Sequence, residues 1–239
     1  MKKKIAFIIP VILIALIFTC VFIYTGDYYH ADKTALEAME SDMTVNVSHT
    51  DYGWYFDGPS RENTLIFYPG GKVEEIAYAP LLHRLAAKGI DVCLISMPLR
   101  LAILGINKAD DLIKQNDSGK IFIGGHSLGG VASAKYAAAH PDSIDGLILL
   151  ASYPTEKLDS SINTVLIYGS EDKVLNMEKY EASKELIPEN SQETIIEGGN
   201  HAQFGSYGPQ EGDGKAGISA DEQTEETADI IVSVINNNN

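Results

Sequence analysis

The residues with the clearest chemical potential lie in the stretch Gly125-His126-Ser127-Leu128-Gly129, where a serine stands between two glycines. The apolar run before it predicts a strand, and the alanine-rich run after it predicts a helix. On a tight strand-to-helix turn a serine presents its hydroxyl as a nucleophile, and glycines let the neighbouring backbone pass without a Cβ clash. The spacing therefore predicts a nucleophile at Ser127. The alternative is a glycine-rich loop at a helix N-terminus that binds an anion.

A neutral serine is a weak nucleophile, so this hypothesis requires a histidine to accept its proton. Two histidines follow Ser127 in the chain, His140 and His201. His140 lies at the far end of the helix that Ser127 opens, about 20 Å away by helix rise. His201 follows the apolar run of the last expected strand, after Gly198 and Gly199, and it is the expected base. The alternative for His201 is a solvent-exposed loop histidine.

The histidine in turn requires a carboxylate that orients its ring. The segment "VLIYGSEDKVL" ends a strand at Gly169 and places Glu171 and Asp172 in the loop that follows. We predict Asp172 as the orienting acid, with Glu171 as the second choice. Either carboxylate could instead cap the helix expected to begin near Val174.

An acyl-transfer intermediate also requires backbone N–H groups directed at its oxyanion. The residue after the nucleophile, Leu128, is expected to supply one such group, and the loop after an early strand the other. In "FYPGGKVEE" the N–H of Gly71 is the preferred second donor and Lys72 the next choice. A plain strand-to-helix turn is the alternative for these glycines.

These residues need a scaffold that brings loops from distant parts of the chain together. From Thr64 onward, short β-branched or aromatic runs alternate with longer helical patterns, which is typical of a mostly parallel sheet covered by helices on both faces. Before it, residues 43–58 predict a hairpin. The expected strands are 64–68, 90–96, 120–124, 145–151, 163–169 and 193–197, and the expected helices are 75–88, 98–116, 127–140, 174–187 and 220–236. The fold class is therefore three-layer α/β.

The motifs GHSLGG, PGG, GSED and GGNH, in this order, resemble those of the α/β-hydrolase superfamily, and more narrowly its small, dienelactone-hydrolase-like bacterial group, which is often membrane-anchored. The resemblance covers residues 64–236. It implies a sheet of about eight strands, a Ser127–His201–Asp172 triad, and no metal or organic cofactor. Dienelactone hydrolases use a cysteine where this chain has Ser127, so their reaction is not implied. Pro69-Gly70-Gly71 replaces the commoner His-Gly at the oxyanion loop.

The substrate pocket is expected to be an open cleft, because only about a dozen residues separate strands 145–151 and 163–169, too few for a helical cap domain. The segment 97–104, Pro154 and the long loop 202–219 would roof it. The residues predicted to line it are Lys72, Met97, Tyr153, Phe204 and Tyr207. Glu211 and Asp213 in the long loop raise the alternative of calcium, but their spacing matches no calcium loop, and solvated charges are the preferred interpretation.

The chain begins differently from the rest, because three lysines at positions 2–4 precede residues 5–24, which carry no charge. As a helix these 20 residues span about 30 Å, the thickness of a bilayer core. We expect residues 1–26 to be a retained membrane anchor with the N-terminus inside and the catalytic domain extracytoplasmic; the alternative is a cleaved signal and secretion. Residues 27–42 would be a juxtamembrane stalk with a short helix, and residues 43–239 a single α/β-hydrolase domain.

The net charge and the positions of the cysteines argue against some classes of partner and ligand. After residue 26 there are 33 acidic and 15 basic residues, a net charge of −18, which argues against nucleic acid as a partner. Cys20 and Cys93 lack metal-ligand spacing, and Cys93 lies within an expected strand as a small buried side chain. The oligomeric state is left open by the sequence.

Together these residues predict a serine hydrolase that acts on a small ester-like substrate through an acyl-enzyme. A peptidase or an acyltransferase would use the same triad, and a non-catalytic binding protein could share the fold.

Overall fold

The computed structural model describes residues 2–115 and 119–237. The described residues form eight strands: β1 (Asn46–Thr50), β2 (Gly53–Asp57), β3 (Asn63–Tyr68), β4 (Asp91–Ile95), β5 (Lys120–His126), β6 (Gly146–Leu150), β7 (Asn163–Gly169) and β8 (Gln192–Ile196). The α-helices are α1 (Lys2–Gly26), α2 (Lys33–Glu37), α3 (Ala79–Ala87), α4 (Asp110–Gln115), α5 (Leu128–Ala139), α6 (Met177–Ser183) and α7 (Ala220–Asn237).

The strands form one sheet in the order β1-β2-β4-β3-β5-β6-β7-β8. Strands β4, β3, β5, β6, β7 and β8 are parallel to their neighbours, and the hairpin of β1 and β2 adds antiparallel to β4. The expected hairpin and the mostly parallel sheet are therefore confirmed.

Two apolar cores lie on opposite faces of the sheet, as the alternation of side chains along a strand requires. In β3, Leu65 and Phe67 belong to one core, and Ile66 and Tyr68 belong to the other. Helices α3 and α7 supply the first core, and α5 and α6 contribute to the second. The three-layer α/β architecture is confirmed.

This topology brings the candidate site residues to one edge of the sheet. Parallel strands end at the same edge, and the loops after β3, β5, β7 and β8 hold Gly71, Ser127, Asp172 and His201. Between β6 and β7, residues 151–162 contain no helix, so no cap domain is inserted there.

The expected helix 98–116 is confirmed over α4 (Asp110–Gln115) and is wrong over residues 98–109. Residues 116–118 lie outside the described part of the chain, and up to residue 115 the segment consists of three short 3₁₀ turns followed by α4. Leu99 and Arg100 adopt left-handed φ angles of 52° and 56°, which an α-helix does not accept. The Arg100 carbonyl accepts a hydrogen bond from the Lys72 N–H (3.0 Å), so this segment is shaped by the loop after β3.

The start of α7 is where the sequence predicted it, whereas α6 starts later than predicted. The Ser219–Glu222 capping box forms as expected, with the Glu222 carboxylate accepting from the Ser219 N–H (2.8 Å). Helix α6 begins only after Asn176, whose side chain accepts from the Lys179 N–H, rather than near Val174 as expected. The intervening residues form a turn around Asp172.

The segment after α1, residues 27–32, is bound to the domain along its length, and we call it the strap. Tyr29 forms a parallel bridge to Val73, donating its N–H to the Lys72 carbonyl (2.8 Å) and accepting from the Glu74 N–H (2.9 Å). The Asp32 N–H donates to the Ser206 carbonyl (2.8 Å). The strap therefore connects the loop after β3 to the loop after His201. In the part of the chain whose side chains are described, no helix has the length and apolar character needed to span a membrane.

Candidate active site

Ser127 occupies a strained turn between β5 and α5. Its φ of 52° and ψ of −120° lie outside the regions that a residue with a side chain ordinarily adopts, a conformation that costs about 1–3 kcal/mol. The turn is held by its neighbours: the Ser127 N–H donates to the Leu150 carbonyl (2.9 Å), and the Ser127 carbonyl accepts from the Ser152 hydroxyl (2.8 Å). Backbone strain at a serine is typical of a nucleophile on an elbow.

The glycines on either side of Ser127 are required by close backbone contacts. A Cβ at Gly125 would lie 2.5 Å from the Tyr68 carbonyl oxygen and 2.6 Å from the carbonyl carbon of Gly129. A Cβ at Gly129 would meet the Tyr68 carbonyl oxygen even more closely. The pentapeptide is therefore a turn that crosses the end of β3, and the spacing of its glycines has a steric cause.

Asp172 and His201 form a buried hydrogen-bonded pair. The Asp172 Oδ2 atom lies 2.8 Å from His201 Nδ1, and both side chains are almost completely buried. The other carboxylate oxygen, Oδ1, accepts from the N–H groups of Val174 (2.9 Å) and Leu175 (2.8 Å). One carboxylate thus caps the following turn and orients the imidazole. The neighbouring Glu171 is partly exposed, and only its backbone N–H is bonded in the loop, to the Gly199 carbonyl.

The second ring nitrogen of His201, Nε2, is buried and has no hydrogen-bond partner among the described residues. Ser127 Oγ is therefore not hydrogen-bonded to His201. The ring nevertheless lies beside the elbow, because its centroid is 4.5 Å from that of His126, the residue that precedes Ser127. Catalytic hydrogen bonds are often long without substrate and shorten when substrate binds.

The loop that carries His201 is fixed by two polar side chains, one from the same loop and one from α7. Asp213 accepts the His201 N–H (3.3 Å) at Oδ1 and the Ala202 N–H (2.8 Å) at Oδ2. The buried Gln223 of α7 bonds the backbone of Asn200 in both directions, accepting its N–H (2.9 Å) and donating to its carbonyl (2.8 Å). The base is therefore held through its own backbone.

Asp213 was interpreted from the sequence as a solvated charge, with a calcium ligand as the alternative. Its contacts give it a different role. Its carboxylate is not simply solvated, because it accepts several loop N–H groups, and those contacts also account for it without calcium. Glu211 is exposed, and its N–H donates to the Tyr29 hydroxyl (3.1 Å). Over residues 2–115 and 119–237, no group of three His, Cys, Asp or Glu side chains has the arrangement of a metal site.

Leu128 and Gly71, the two preferred oxyanion donors, differ from Lys72 in whether the backbone N–H already has a hydrogen-bond acceptor. Leu128 is the first residue of α5, where an N–H has no partner within the helix. A Cβ at Gly71 would lie 2.9 Å from the Leu128 side chain, so the two residues are adjacent. Neither N–H has a bonding partner within the described chain. Lys72 is a correction, because its N–H donates to the Arg100 carbonyl and is not free for an oxyanion.

The residues predicted to line the pocket have different surroundings. Phe204 is buried with its ring centroid 5.6 Å from that of His126, so it lies at the site. Met97 is buried against Gly105, and Tyr153 is partly buried against the core that contains α5.

The side chains of Lys72 and Tyr207, which were also predicted to line the pocket, contact the N-terminal part of the chain. The Lys72 ammonium lies 3.2 Å from an Asp27 carboxylate oxygen and 4.5 Å from the centre of the Tyr24 ring. Tyr207 packs its ring 5.4 Å from that of Tyr29 and donates its hydroxyl to Gln210 (3.0 Å).

Sequence reasoning did not assign roles to Tyr78, His126 or Gln223. Tyr78 and His126 are joined by a hydrogen bond of 2.8 Å between the phenol oxygen and Nδ1, and both are buried. A signal for His126 was present in the sequence, because it is the residue directly before Ser127 in the motif. Gln223 could have been recognised only as a polar residue on the apolar side of α7.

A sequence model of the alpha/beta hydrolase family matches residues 64–225, about two thirds of the chain. A search of curated protein sequences gives no match.

Solved structures with a similar fold share little sequence with this chain. A monoacylglycerol lipase from Paleococcus ferrophilus is 15% identical with a TM-score of 0.59, over 80% of this chain and 100% of that one. A predicted CIB-like hydrolase from Thermoplasma acidophilum is 18% identical with a TM-score of 0.57, over 80% and 100%. A bacterial membrane phospholipase A is 13% identical with a TM-score of 0.60, over 100% and 99%. At such identities the likeness concerns the fold.

The burial of His126 makes stability depend on pH. Desolvation holds its pKa well below the ordinary value, and the adjacent His201 lowers it further. Below about pH 6.5 the unfolded chain binds a proton at this histidine that the folded chain does not, so the free energy of unfolding decreases as the pH falls, by up to about 1.4 kcal/mol per pH unit. We expect His126→Asn to flatten this slope in urea denaturation between about pH 5 and 7. Equal slopes for the two proteins would contradict the assignment.

Proposed function

Because the chain belongs to the alpha/beta hydrolase family, and is therefore a hydrolase, we propose that it is a serine hydrolase that cleaves a carboxylic ester through an acyl-enzyme. Ser127 is the nucleophile, His201 the general base and Asp172 the residue that orients the base. The N–H groups of Leu128 and Gly71 form the oxyanion hole. The reaction uses no metal or organic cofactor.

The observation that carries this proposal is the state of His201. One ring nitrogen is bonded to the buried Asp172 carboxylate, and the other is buried, unpartnered and next to the strained serine turn. A buried polar atom without a protein partner calls for an explanation, and a catalytic role is one such explanation. An imidazole held at Nδ1 and free at Nε2 can accept a proton from a serine hydroxyl.

The chemistry proceeds in two transfers. As Ser127 Oγ attacks the ester carbonyl carbon, its proton moves to His201 Nε2, and the carbonyl oxygen becomes an oxyanion bonded by the Leu128 and Gly71 N–H groups. The tetrahedral intermediate collapses, the alkoxy group leaves with the proton from His201, and Ser127 remains acylated. Water then attacks the acyl carbon and gives a proton to His201. The bond between the acyl carbon and Ser127 Oγ breaks, His201 returns that proton to Oγ, and the carboxylic acid is released.

Asp172 supports both transfers through charge and orientation. Its Oδ2 atom accepts the Nδ1 proton and therefore leaves Nε2 as the basic nitrogen. When the ring becomes positively charged, the buried carboxylate 2.8 Å away stabilises the imidazolium.

Ser127→Ala tests the nucleophile. We expect the variant to keep its fold and to lose hydrolysis of p-nitrophenyl acetate by about a thousandfold or more. A fluorophosphonate probe should label the wild-type protein at Ser127 and leave the variant unlabelled. The substrate panel should contain esters, peptides and ester–alcohol mixtures, because product analysis separates an esterase from a peptidase or an acyltransferase.

Ser133→Ala is the matched control, since Ser133 is a buried serine of α5 whose hydroxyl bonds only the Gly130 carbonyl of its own helix. Turnover by Ser127→Ala at the level of this control would reject the proposal.

Asp172→Asn and Glu171→Gln form a second matched pair, since adjacent carboxylates are each replaced by an amide. The asparagine carbonyl can still accept from Val174 and Leu175, but its NH₂ group would face His201 and favour the wrong tautomer. We expect kcat to fall by about a thousandfold or more in Asp172→Asn and by less than about twofold in Glu171→Gln. Equal losses in the two variants, measured with p-nitrophenyl acetate, would remove Asp172 from the mechanism.

We further propose that residues 1–26 hold the protein at a membrane, with the catalytic domain extracytoplasmic. The support is the charge-free run 5–24 after three lysines. Full-length protein should sediment with membranes after carbonate washing, and protease added outside intact cells should degrade the domain. Recovery of protein that begins near residue 27 in the medium would instead establish a cleaved signal.

A further inference from the structure

Outside the triad, Tyr78 and His126 connect the oxyanion loop to the serine turn. Tyr78 ends the 3₁₀ turn Glu75–Tyr78 that follows this loop, and His126 directly precedes Ser127. The phenol oxygen of Tyr78 lies 3.0 Å from the Gly70 nitrogen and 2.8 Å from His126 Nδ1. Both side chains are buried, so water does not compete for these contacts.

The chemistry of the three groups fixes the direction of the two hydrogen bonds. The Gly70 N–H can only donate, so the Tyr78 oxygen accepts from it. The phenol proton then requires an acceptor, and His126 Nδ1 is the one in reach. If Nδ1 carried a hydrogen, that phenol proton would be left without an acceptor. His126 therefore holds its hydrogen on Nε2, which has no partner in the described chain.

Burial keeps both members of this pair uncharged. It raises the pKa of the Tyr78 phenol well above its ordinary value and lowers the pKa of His126. The direction of the two hydrogen bonds, from Gly70 to Tyr78 and from Tyr78 to His126, is consequently maintained.

This arrangement determines which glycine is available as an oxyanion donor. The Gly70 N–H is used by Tyr78, whereas the next N–H, that of Gly71, has no protein partner in the described residues. The contact also requires glycine at position 70, because a Cβ there would lie 2.6 Å from the phenol oxygen and 3.0 Å from His126 Nδ1. Tyr78 thus holds the loop by one N–H and leaves its neighbour free.

We propose that Tyr78 and His126 are positioning residues that hold the Gly71 N–H at the oxyanion, through the hydrogen bonds from Gly70 to Tyr78 and from Tyr78 to His126. This inference rests on the proposed serine hydrolase function, and it extends that function from the triad to the residues that set the oxyanion hole. Neither side chain contacts the substrate; both act through the backbone of the loop.

The kinetic test compares variants that break or keep the acceptor for the phenol proton. Tyr78→Phe and His126→Leu should each lower kcat by about ten- to a hundredfold with KM changed less than about twofold, since a displaced oxyanion donor weakens only the transition state. His126→Asn, whose amide oxygen can replace Nδ1 as acceptor, should lose clearly less than His126→Leu. Tyr78→Phe combined with His126→Leu should lose no more than either single variant.

Tyr180→Phe is the matched control, because Tyr180 is also buried and donates its hydroxyl to Glu193, away from the serine turn. Its kcat should stay within about twofold of wild type. Affinity for a peptidyl or alkyl trifluoromethyl ketone, which forms a tetrahedral adduct with an oxyanion, should fall in parallel with kcat in the Tyr78 and His126 variants only. Additive losses, or a kcat in Tyr78→Phe equal to that of the control, would overturn the proposal.

A spectroscopic measurement on the wild-type protein tests the direction of the hydrogen bonds even if the variants do not fold. Nitrogen-15 NMR of the imidazoles should show His126 as the neutral Nε2–H tautomer from about pH 5 to pH 8. An Nδ1–H tautomer would overturn the proposed direction of the hydrogen bonds. This outcome is separable from failure of the enzymatic proposal, which is judged by the loss of turnover in Ser127→Ala alone.

Discussion

The hydrogen bond between Asp172 and His201 is the interaction on which the rest of the site depends. An ionised carboxylate is costly to bury, and Asp172 is stable inside the protein because two backbone N–H groups and an imidazole surround it. Those three donors come from the loops after β7 and β8. The requirement to satisfy one buried charge therefore fixes two loops from separate parts of the chain against each other.

Hydrogen bonds to backbone groups hold the other candidate site residues in place at this edge of the sheet. The serine turn is strained and is kept in place by Leu150 and Ser152 from the neighbouring strand and its loop. The base loop is held by Asp213 and Gln223, which bond main-chain groups rather than the imidazole itself. Side chains that bond the backbone in this way fix the position of the loop without a contact to the imidazole. Rigid elements thus determine where each reactive atom lies.

The sheet could be predicted from the sequence because its strands follow local rules, whereas the candidate triad residues stay predictions, supported by the contact between Asp172 and His201. Strands alternate or form short apolar runs, and the glycines around Ser127 answer a steric need that their spacing reveals. The helix predicted over 98–116 does not form before Asp110. Leu99 and Arg100 have left-handed φ angles, and the Arg100 carbonyl accepts a hydrogen bond from Lys72, which lies earlier in the chain. Asp172 and Glu171 were equivalent by position, and only the three-dimensional turn distinguishes them. Tyr78 gave no local signal, since its partner lies 48 residues away.

The strap has a consequence for how the protein can be processed. Tyr29 and Asp32 are hydrogen-bonded to the loops that flank the candidate active site. The strap is therefore bound to the domain and is not a free linker. Proteolytic cleavage after residue 32 would remove the strap and its hydrogen bonds to those loops, whereas cleavage before residue 27 would leave the strap in place.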